Sequence, residues 1–149
     1  MKFGLCDDDS EPDNPAYIDE INKSDWLAEI TNPNSITVDF YAVDKCIEIR
    51  RQDGSMEKRC DGMLHYENKL IFVELKNRTF SGWVADGREQ LTTTYNVFKS
   101  NPGNSLFTEI EGYICNKQRP VATGNHMIQI QRFRNDTGLK LNIQRIINL

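Results

Sequence analysis

The alternation of apolar and polar residues along the chain predicts a series of strands and one clear helix. Strands are predicted for residues 36–43, 45–51, 57–66, 69–76 and 106–115. Over residues 83–100 the apolar positions recur every three or four residues, which predicts a helix that ends at Asn101-Pro102-Gly103. Because this helix separates two predicted strands, we expect those strands to be parallel and joined by a right-handed crossover.

The two ends of the chain carry other patterns. Residues 1–14 are polar and acidic and contain proline, which is typical of a flexible tail, so the domain is predicted to span residues 15–149. Asn14-Pro15 is a favourable helix opening, and the apolar residues that follow predict an N-terminal helix with a break. Residues 126–133 and 139–147 predict a closing β-hairpin, with a helix as the alternative for the last segment.

The central hairpin brings two carboxylates together. If Glu67-Asn68 is a two-residue turn, Tyr66 pairs with Lys69, and counting along the ladder places Asp61 opposite Glu74. Directly opposed residues have Cβ atoms only about 4.5–5.5 Å apart, and like charges placed there repel. The hairpin therefore predicts a cation site between the two acids. The alternative is a pair of exposed strand charges neutralised by a nearby lysine.

The order Asp61, hydrophobic strand, Glu74-Leu75-Lys76 resembles the catalytic core of the PD-(D/E)XK nuclease superfamily, over roughly residues 39–116. The resemblance implies an α/β fold with a three-layer αβα, restriction-endonuclease-like core around a mixed central sheet. It implies Mg²⁺ (or Mn²⁺) bound by Asp61, Glu74 and the Leu75 carbonyl, and a catalytic Lys76 that holds or deprotonates the attacking water. Cys60 stands where the family often has proline.

The resemblance also implies further site residues. In many of these nucleases an N-terminal helix adds an acid to the metal site, and Glu20 and Glu29 are the candidates here. Several branches carry a glutamine on the helix after the Glu-x-Lys strand, where Gln90 stands, with Tyr95 five positions later. Gln90 would orient water or touch the substrate backbone. The alternative is an ordinary amide on the helix surface.

Basic residues near these elements are candidates for phosphate contacts. The cluster around the turn at Asp53-Gly54 is either a phosphate-binding hairpin or a charged sheet edge. The predicted substrate-binding set is Arg50, Arg51, Arg59, Arg78, Tyr95, Lys117 and Arg119.

Charge and composition restrict the function without deciding it. The net charge is −4, but seven of the acids lie in residues 1–20, and the rest of the chain has 15 acids and 17 bases. This balance excludes a strongly basic, non-specific DNA coat and still allows a nuclease. The four cysteines lack C-x-x-C spacing and are typical of reduced thiols in a cytoplasmic protein. No apolar run is long enough for a membrane span.

Three functions are consistent with these patterns. The first is a metal-dependent endonuclease, with DNA favoured over RNA as substrate and a homodimer as a common assembly. The second is a non-catalytic nuclease-fold module, such as an immunity or antitoxin protein, whose acidic surface covers a protein partner. The third is a tRNA-cleaving toxin that uses the same site.

Overall fold

Two helices and two sheets are stacked in three layers. The computed structural model describes residues 1–8, 10–78, 80–118 and 123–149. Within these ranges the helices are α1 (Trp83–Lys99) and α2 (Met127–Thr137). The strands are β1 (Lys2–Cys6), β2 (Tyr17–Asp19), β3 (Ala28–Thr31), β4 (Asp39–Ala42), β5 (Gly62–Tyr66), β6 (Lys69–Lys76), β7 (Glu109–Asn116), β8 (Lys140–Ile143) and β9 (Ile146–Asn148).

The larger sheet is mixed and has the strand order β4-β5-β6-β7-β8. Its first three strands are antiparallel, whereas β6, β7 and β8 are parallel to one another. Helix α1 connects β6 to β7, and α2 connects β7 to β8. Parallel neighbours require such crossovers, since a tight turn can join only antiparallel strands.

Both helices pack on one face of the larger sheet. Phe72, Ile114 and Leu141 point from the sheet into an apolar core that Leu91 and Tyr95 of α1 and Phe133 of α2 complete. All of these side chains are buried. The core holds α1 directly above β6 and β7, where the predicted site lies.

The other face of the larger sheet is covered by a smaller sheet with the order β2-β1-β3-β9. Phe3, Leu5 and Ile30 of the smaller sheet meet Ile71 and Val73 of β6 in a second apolar core. One position permits unusually close packing: a Cβ added at Gly4 would lie 2.0 Å from the indole of Trp26, which is itself only 1% exposed. A glycine is therefore required there by the close approach of the ring.

Several local predictions are confirmed. Tyr66 pairs with Lys69 around the predicted two-residue turn, and Glu67 adopts the positive φ that such turns require. The predicted helix is α1, and β6 and β7 are parallel as expected. The chain belongs to the α/β class. These elements are set by residues near one another in sequence, which is why the pattern predicts them.

The predictions for the first 30 residues were wrong. Residues 2–6 are not a flexible tail but form β1, in which Phe3, Gly4, Leu5 and Cys6 are buried. The predicted N-terminal helix is absent from the described residues, where β2 and β3 pair with opposite sides of β1. Short strands that pair over such distances leave no periodicity that a local pattern can show.

Three further predictions need correction. Residues 45–51 form no strand, and their one ladder contact is an isolated bridge between Arg50 and Met56. Residues 127–137, within the predicted closing hairpin, form α2 instead. Ile130, Phe133 and Thr137 are spaced by three and four residues, as on one face of a helix. Ile128, whose alternation with Ile130 suggested a strand, is exposed. The layer opposite the helices is a sheet, where the resemblance implied helices.

No helix in the described part of the chain is long and apolar enough to cross a membrane.

Candidate functional site

The site lies where the hairpin of β5 and β6 ends. The ladder runs from Tyr66–Lys69 to Gly62–Val73, so Asp61 and Glu74 follow directly after its last pair. Asp61 is 7% exposed and Glu74 is 1% exposed. Burying two carboxylates beside each other is costly unless a positive charge or hydrogen-bond donors compensate.

Neither carboxylate is fully compensated by the protein. Asp61 Oδ2 accepts a hydrogen bond of 2.6 Å from the amide of Leu75. Burial nevertheless raises the pKa of Asp61 to about 7, with the charges of Asp7 and Asp44 adding to the effect. Burial and the neighbouring Asp61 also raise the pKa of Glu74 well above its usual value. Glu74 Oε2 is buried and has no hydrogen-bond partner among the described residues.

These atoms fit a hard divalent cation. Asp61 and Glu74 offer carboxylate oxygens, the donors that Mg²⁺ and Mn²⁺ prefer. The amide of Leu75 faces Asp61, and the carbonyl of a strand residue points to the same side as its amide, so the Leu75 carbonyl adds a third oxygen. The described residues contain no group of three or more His, Cys, Asp or Glu side chains placed to hold a metal. Water or a substrate phosphate would therefore complete the coordination.

Lys76 lies on the same face of β6 as Glu74 and contacts three acceptors. Its Nζ is 2.8 Å from Glu74 Oε1, 2.8 Å from Asp86 Oδ2 and 2.8 Å from Gln90 Oε1. Burial disfavours the charge of Lys76, but Glu74 and Asp86 outweigh it and hold the pKa of Lys76 above its usual value. In this arrangement Lys76 is a charged hydrogen-bond donor.

Helix α1 supplies the groups that hold Lys76. Gln90 accepts from Lys76 and donates from Nε2 to the Arg59 carbonyl over 3.0 Å, so it bridges α1 and the segment before β5. Asp86 lies one turn earlier and was not among the predicted site residues. Its spacing of four from Gln90 is the signal that could have identified it, because residues i and i+4 share one helix face.

Close packing and a hydrogen bond hold α1 against the site. A Cβ added at Gly87 would lie 3.3 Å from Glu74 Cγ and 3.1 Å from Ile114. The amide of Cys60, at the position where proline is frequent in the superfamily that the sequence resembles, donates over 2.8 Å to Thr94 Oγ1 of α1. A proline at this position would lose that bond.

The site opens into a cavity of about 260 Å³. Its lining includes the predicted residues Asp61, Glu74, Leu75, Lys76, Gln90 and Arg78. It also includes three acids that the sequence pattern did not single out, Asp7, Asp44 and Asp86. Asp7 was assigned to a tail, yet β1 carries it to the cavity, and this long-range pairing explains why the pattern missed it.

A second cavity, of about 460 Å³, lies next to the first and shares Asp7, Leu27 and Asn77 with it. Lys117 lines this second cavity, and its ammonium group donates to the Ser24 carbonyl. Arg59 lies close to the first cavity and is paired with Asp44 at 2.8 Å. Among the predicted basic residues, Arg78, Lys117 and Arg59 are thus near the site.

The other predicted residues lie elsewhere. Arg50 and Arg51 are exposed and pair with Glu48 and Glu57, away from both cavities. Tyr95 is buried in the core beneath α1, with its ring against Phe72.

The two N-terminal acids that were candidates for the metal site also lie outside both cavities. Glu20 is exposed and lines a separate, smaller cavity, and Glu29 on β3 pairs with Lys2 at 2.5 Å. The helix expected to carry these acids toward the site is replaced by strands. Arg119 lies outside the described residues.

Comparison of this chain with protein-family models, with curated proteins and with solved structures finds no match. The function of the cavity must therefore be inferred from the chemistry of its own residues.

Proposed function

We propose that this protein is a metal-dependent nuclease that hydrolyses phosphodiester bonds in nucleic acid, with DNA favoured over RNA. One observation carries the proposal: Glu74 Oε2 is buried without a hydrogen-bond partner in the described part of the chain, beside Asp61 and the charged Lys76. A buried carboxylate oxygen that lacks a donor is rare in a folded protein and is accounted for by a cation that the site is built to hold.

Each residue has a distinct task in the proposed reaction. Asp61, Glu74 and the Leu75 carbonyl would hold Mg²⁺ or Mn²⁺. Such a cation, when bound, neutralises charge on the phosphate and lowers the pKa of a bound water. Lys76 donates hydrogen bonds, so it can orient the attacking water or a phosphate oxygen. Gln90 contacts Lys76 and the Arg59 carbonyl and also lines the cavity, where it would orient water or touch the substrate backbone as the resemblance implies.

The order of elements around the site supports the proposal. Three antiparallel strands, a helix and a parallel strand follow one another as β4, β5, β6, α1 and β7, and the acids lie at the end of the β5–β6 hairpin. We propose that this part of the chain corresponds to a restriction-endonuclease-like core. Its substrate would enter between Arg78 and Lys117, whose charges suit a phosphate backbone.

The proposal extends to partners and location. One active site cleaves one strand at a time, so we propose a homodimer whose two sites would cut both strands of a duplex together. All four cysteines are unpaired, and Cys6, Cys60 and Cys115 are buried, which suits a reducing compartment such as the cytoplasm.

A second candidate function is favoured by one observation. Asp7, Asp8 and Asp25 line the neighbouring cavity, and Lys117 is the one basic residue among the lining residues that the structure describes. Such an acidic surface suits a basic protein partner better than a phosphate backbone. A nuclease-fold module of the immunity or antitoxin kind would use it. A protein that co-purifies stably and without divalent cations would support this function over the nuclease.

Calorimetric titration of Mg²⁺ and Mn²⁺ tests the first proposal, together with cleavage of single- and double-stranded DNA and RNA. We expect binding in the wild type that is lost in Glu74→Gln, which keeps the size of the side chain. We also expect Lys76→Met to reduce cleavage by about 10²-fold or more. The matched control is Lys69→Met, which removes the surface ion pair with Glu109 at the other end of β6.

The outcomes separate the two functions. Cation binding that survives in Glu74→Gln would place the metal elsewhere and contradict the site. Cleavage that survives in Lys76→Met, or is lost equally in Lys69→Met, would contradict the role of Lys76. Cation binding without cleavage of any of the four substrates would favour the partner-binding function.

A further inference from the structure

The ammonium group of Lys76 is held by contacts with three acceptors. Its hydrogen bonds to Asp86 Oδ2 and Gln90 Oε1 and its ion pair with Glu74 Oε1 each span 2.8 Å, and the hydrogen bonds use two of the three N–H donors of a lysine ammonium. The acceptors are Glu74 on its own strand and Asp86 and Gln90 on α1. The position of this group is thus set from two different elements of the fold.

Asp86 is itself held from both sides. Its Oδ2 contacts Lys76, while its Oδ1 is 3.2 Å from Lys58 Nζ. Lys58 has a second, exposed partner in Glu89 Oε2, 3.1 Å away. Asp86 also lies in the first turn of α1, where the helix dipole favours a negative charge.

The three acceptors of Lys76 are not equivalent for the proposed reaction. Glu74 is a proposed ligand of the divalent cation, and a cation on its carboxylate repels the neighbouring ammonium. Gln90 is neutral and attracts the ammonium less than a carboxylate does. Asp86 is then the one charged acceptor that continues to hold Lys76 beside the reacting phosphate.

We propose that Asp86 is a positioning residue that holds Lys76 in its catalytic orientation, an inference that rests on the proposed nuclease function. Asp86 acts through Lys76 and does not bind the cation. Lys58 contacts the other carboxylate oxygen of Asp86 from the solvent side, so Lys58, Asp86 and Lys76 form one line of contacts from the surface to the site.

The first test measures whether the Lys76 ammonium group is held in place, and it does not depend on catalysis. Heteronuclear NMR of ¹⁵N-labelled lysine ammonium groups reports whether each is held by acceptors, because held groups exchange their protons with water slowly. The Lys76 signal is assigned by its loss in Lys76→Met. We expect it to broaden or vanish in Asp86→Asn, to persist in Asp86→Glu, and to be unchanged in Glu89→Gln.

The second test separates positioning from ligation and from folding. In Asp86→Asn we expect kcat to fall by about 10²-fold, the effect of a misplaced catalytic group, with KM and Mg²⁺ affinity close to wild type. Asp86→Glu should recover part of the loss. Glu89→Gln removes only an exposed partner of Lys58 and should change kcat by less than about twofold.

Several results would overturn the proposal. A Lys76 signal that is unchanged in Asp86→Asn would show that Asp86 does not hold the lysine. Weaker Mg²⁺ binding in Asp86→Asn would make Asp86 a ligand instead. Loss of kcat in Glu89→Gln equal to that in Asp86→Asn would indicate a general effect on α1. If Asp86→Asn does not fold, the same comparisons are made with Asp86→Glu. Loss of the Lys76 signal in that variant, together with a kcat as low as that of Lys76→Met, would also overturn the proposal.

Failure of the nuclease function itself gives a different result. A wild type that binds Mg²⁺ but cleaves no nucleic acid, while its Lys76 signal still depends on Asp86, would refute the nuclease and leave Asp86 as the residue that holds Lys76.

Discussion

The carboxylates of Asp61 and Glu74 are buried beside each other at a cost in free energy. Burial raises the pKa of both, Asp61 raises that of Glu74 further, and one oxygen of Glu74 has no donor among the described residues. A carboxylate whose only role is to stabilise the fold is seldom buried without its full set of hydrogen bonds, because the cost of burying it lowers the free energy of unfolding. A site that sacrifices stability in this way is typical of function.

The first prediction concerns pH and Asp61. Its pKa is about 7 in the folded chain and about 3.8 in an unfolded one, so the folded state binds the proton more tightly. Unfolding therefore releases a proton in this window, and the free energy of unfolding should fall as the pH rises from about 4 to 7, by on the order of a few kcal/mol.

Urea denaturation in EDTA across this pH range measures the effect. Asp61→Asn removes the titrating group and should flatten the dependence. Asp136→Asn, which changes an exposed acid, is the control and should leave the slope as in the wild type. A wild-type free energy of unfolding that rises over the same range would contradict the burial of a neutral Asp61.

At the scale of residues, the sequence predicted that the two acids and the lysine lie together, but not what surrounds them. Asp61, Glu74 and Lys76 are fixed by one hairpin, so counting along its ladder was enough to place them together. Asp7 and Asp86 reach the same cavity through β1 and α1, which are brought there by packing. No local pattern records which helix turn faces a strand of the sheet.

At the scale of elements, the hairpin and α1 were predictable and the first two strands were not. The hairpin is closed by a two-residue turn, and α1 has apolar residues at helical spacing and a clear end. Strand β1 is defined by its pairing with β2 and β3, which a local pattern does not show. Beside this pairing, the amide of Leu27 donates to the Leu5 carbonyl, 22 residues away in the sequence.

The second prediction tests the packing of β1. Gly4→Ala would place a methyl group 2.0 Å from the Trp26 ring, so the strand or the indole must move. We expect a loss of about 1–3 kcal/mol in the free energy of unfolding, as for other overpacked cores. Gly103→Ala has open space around its Cβ and should change stability little. Equal stability of the two variants in urea would show that β1 is not packed on Trp26.

At the scale of the whole molecule, the layer opposite the helices was the least predictable part. It is built from both ends of the chain, because β9 near the C-terminus pairs in parallel with β3. Apolar alternation shows that residues have a buried face, but not which distant segment covers it. The resemblance suggested helices for this layer, and the strands β1, β2, β3 and β9 occupy it instead.

The third prediction tests whether β9 secures this layer. Ile147 is fully buried in the core between the sheets, whereas its neighbour Ile146 is 46% exposed. We expect Ile147→Ala to lower the free energy of unfolding by about 2–5 kcal/mol and to lower Tm. Ile146→Ala should have a much smaller effect. Comparable losses in the two variants would contradict the placement of β9.

The absence of a side chain at Gly87 has a consequence for how this site can change. Because a Cβ at this position would lie 3.1 Å from Ile114 and 3.3 Å from Glu74 Cγ, a methyl group requires these side chains or α1 to shift by a few tenths of an ångström. A shift of α1 would move Asp86 and Gln90 together relative to Lys76 without altering any of these residues. Position 87 is therefore a place where drift or engineering could adjust the contacts of Lys76 in small steps while its chemical groups stay the same.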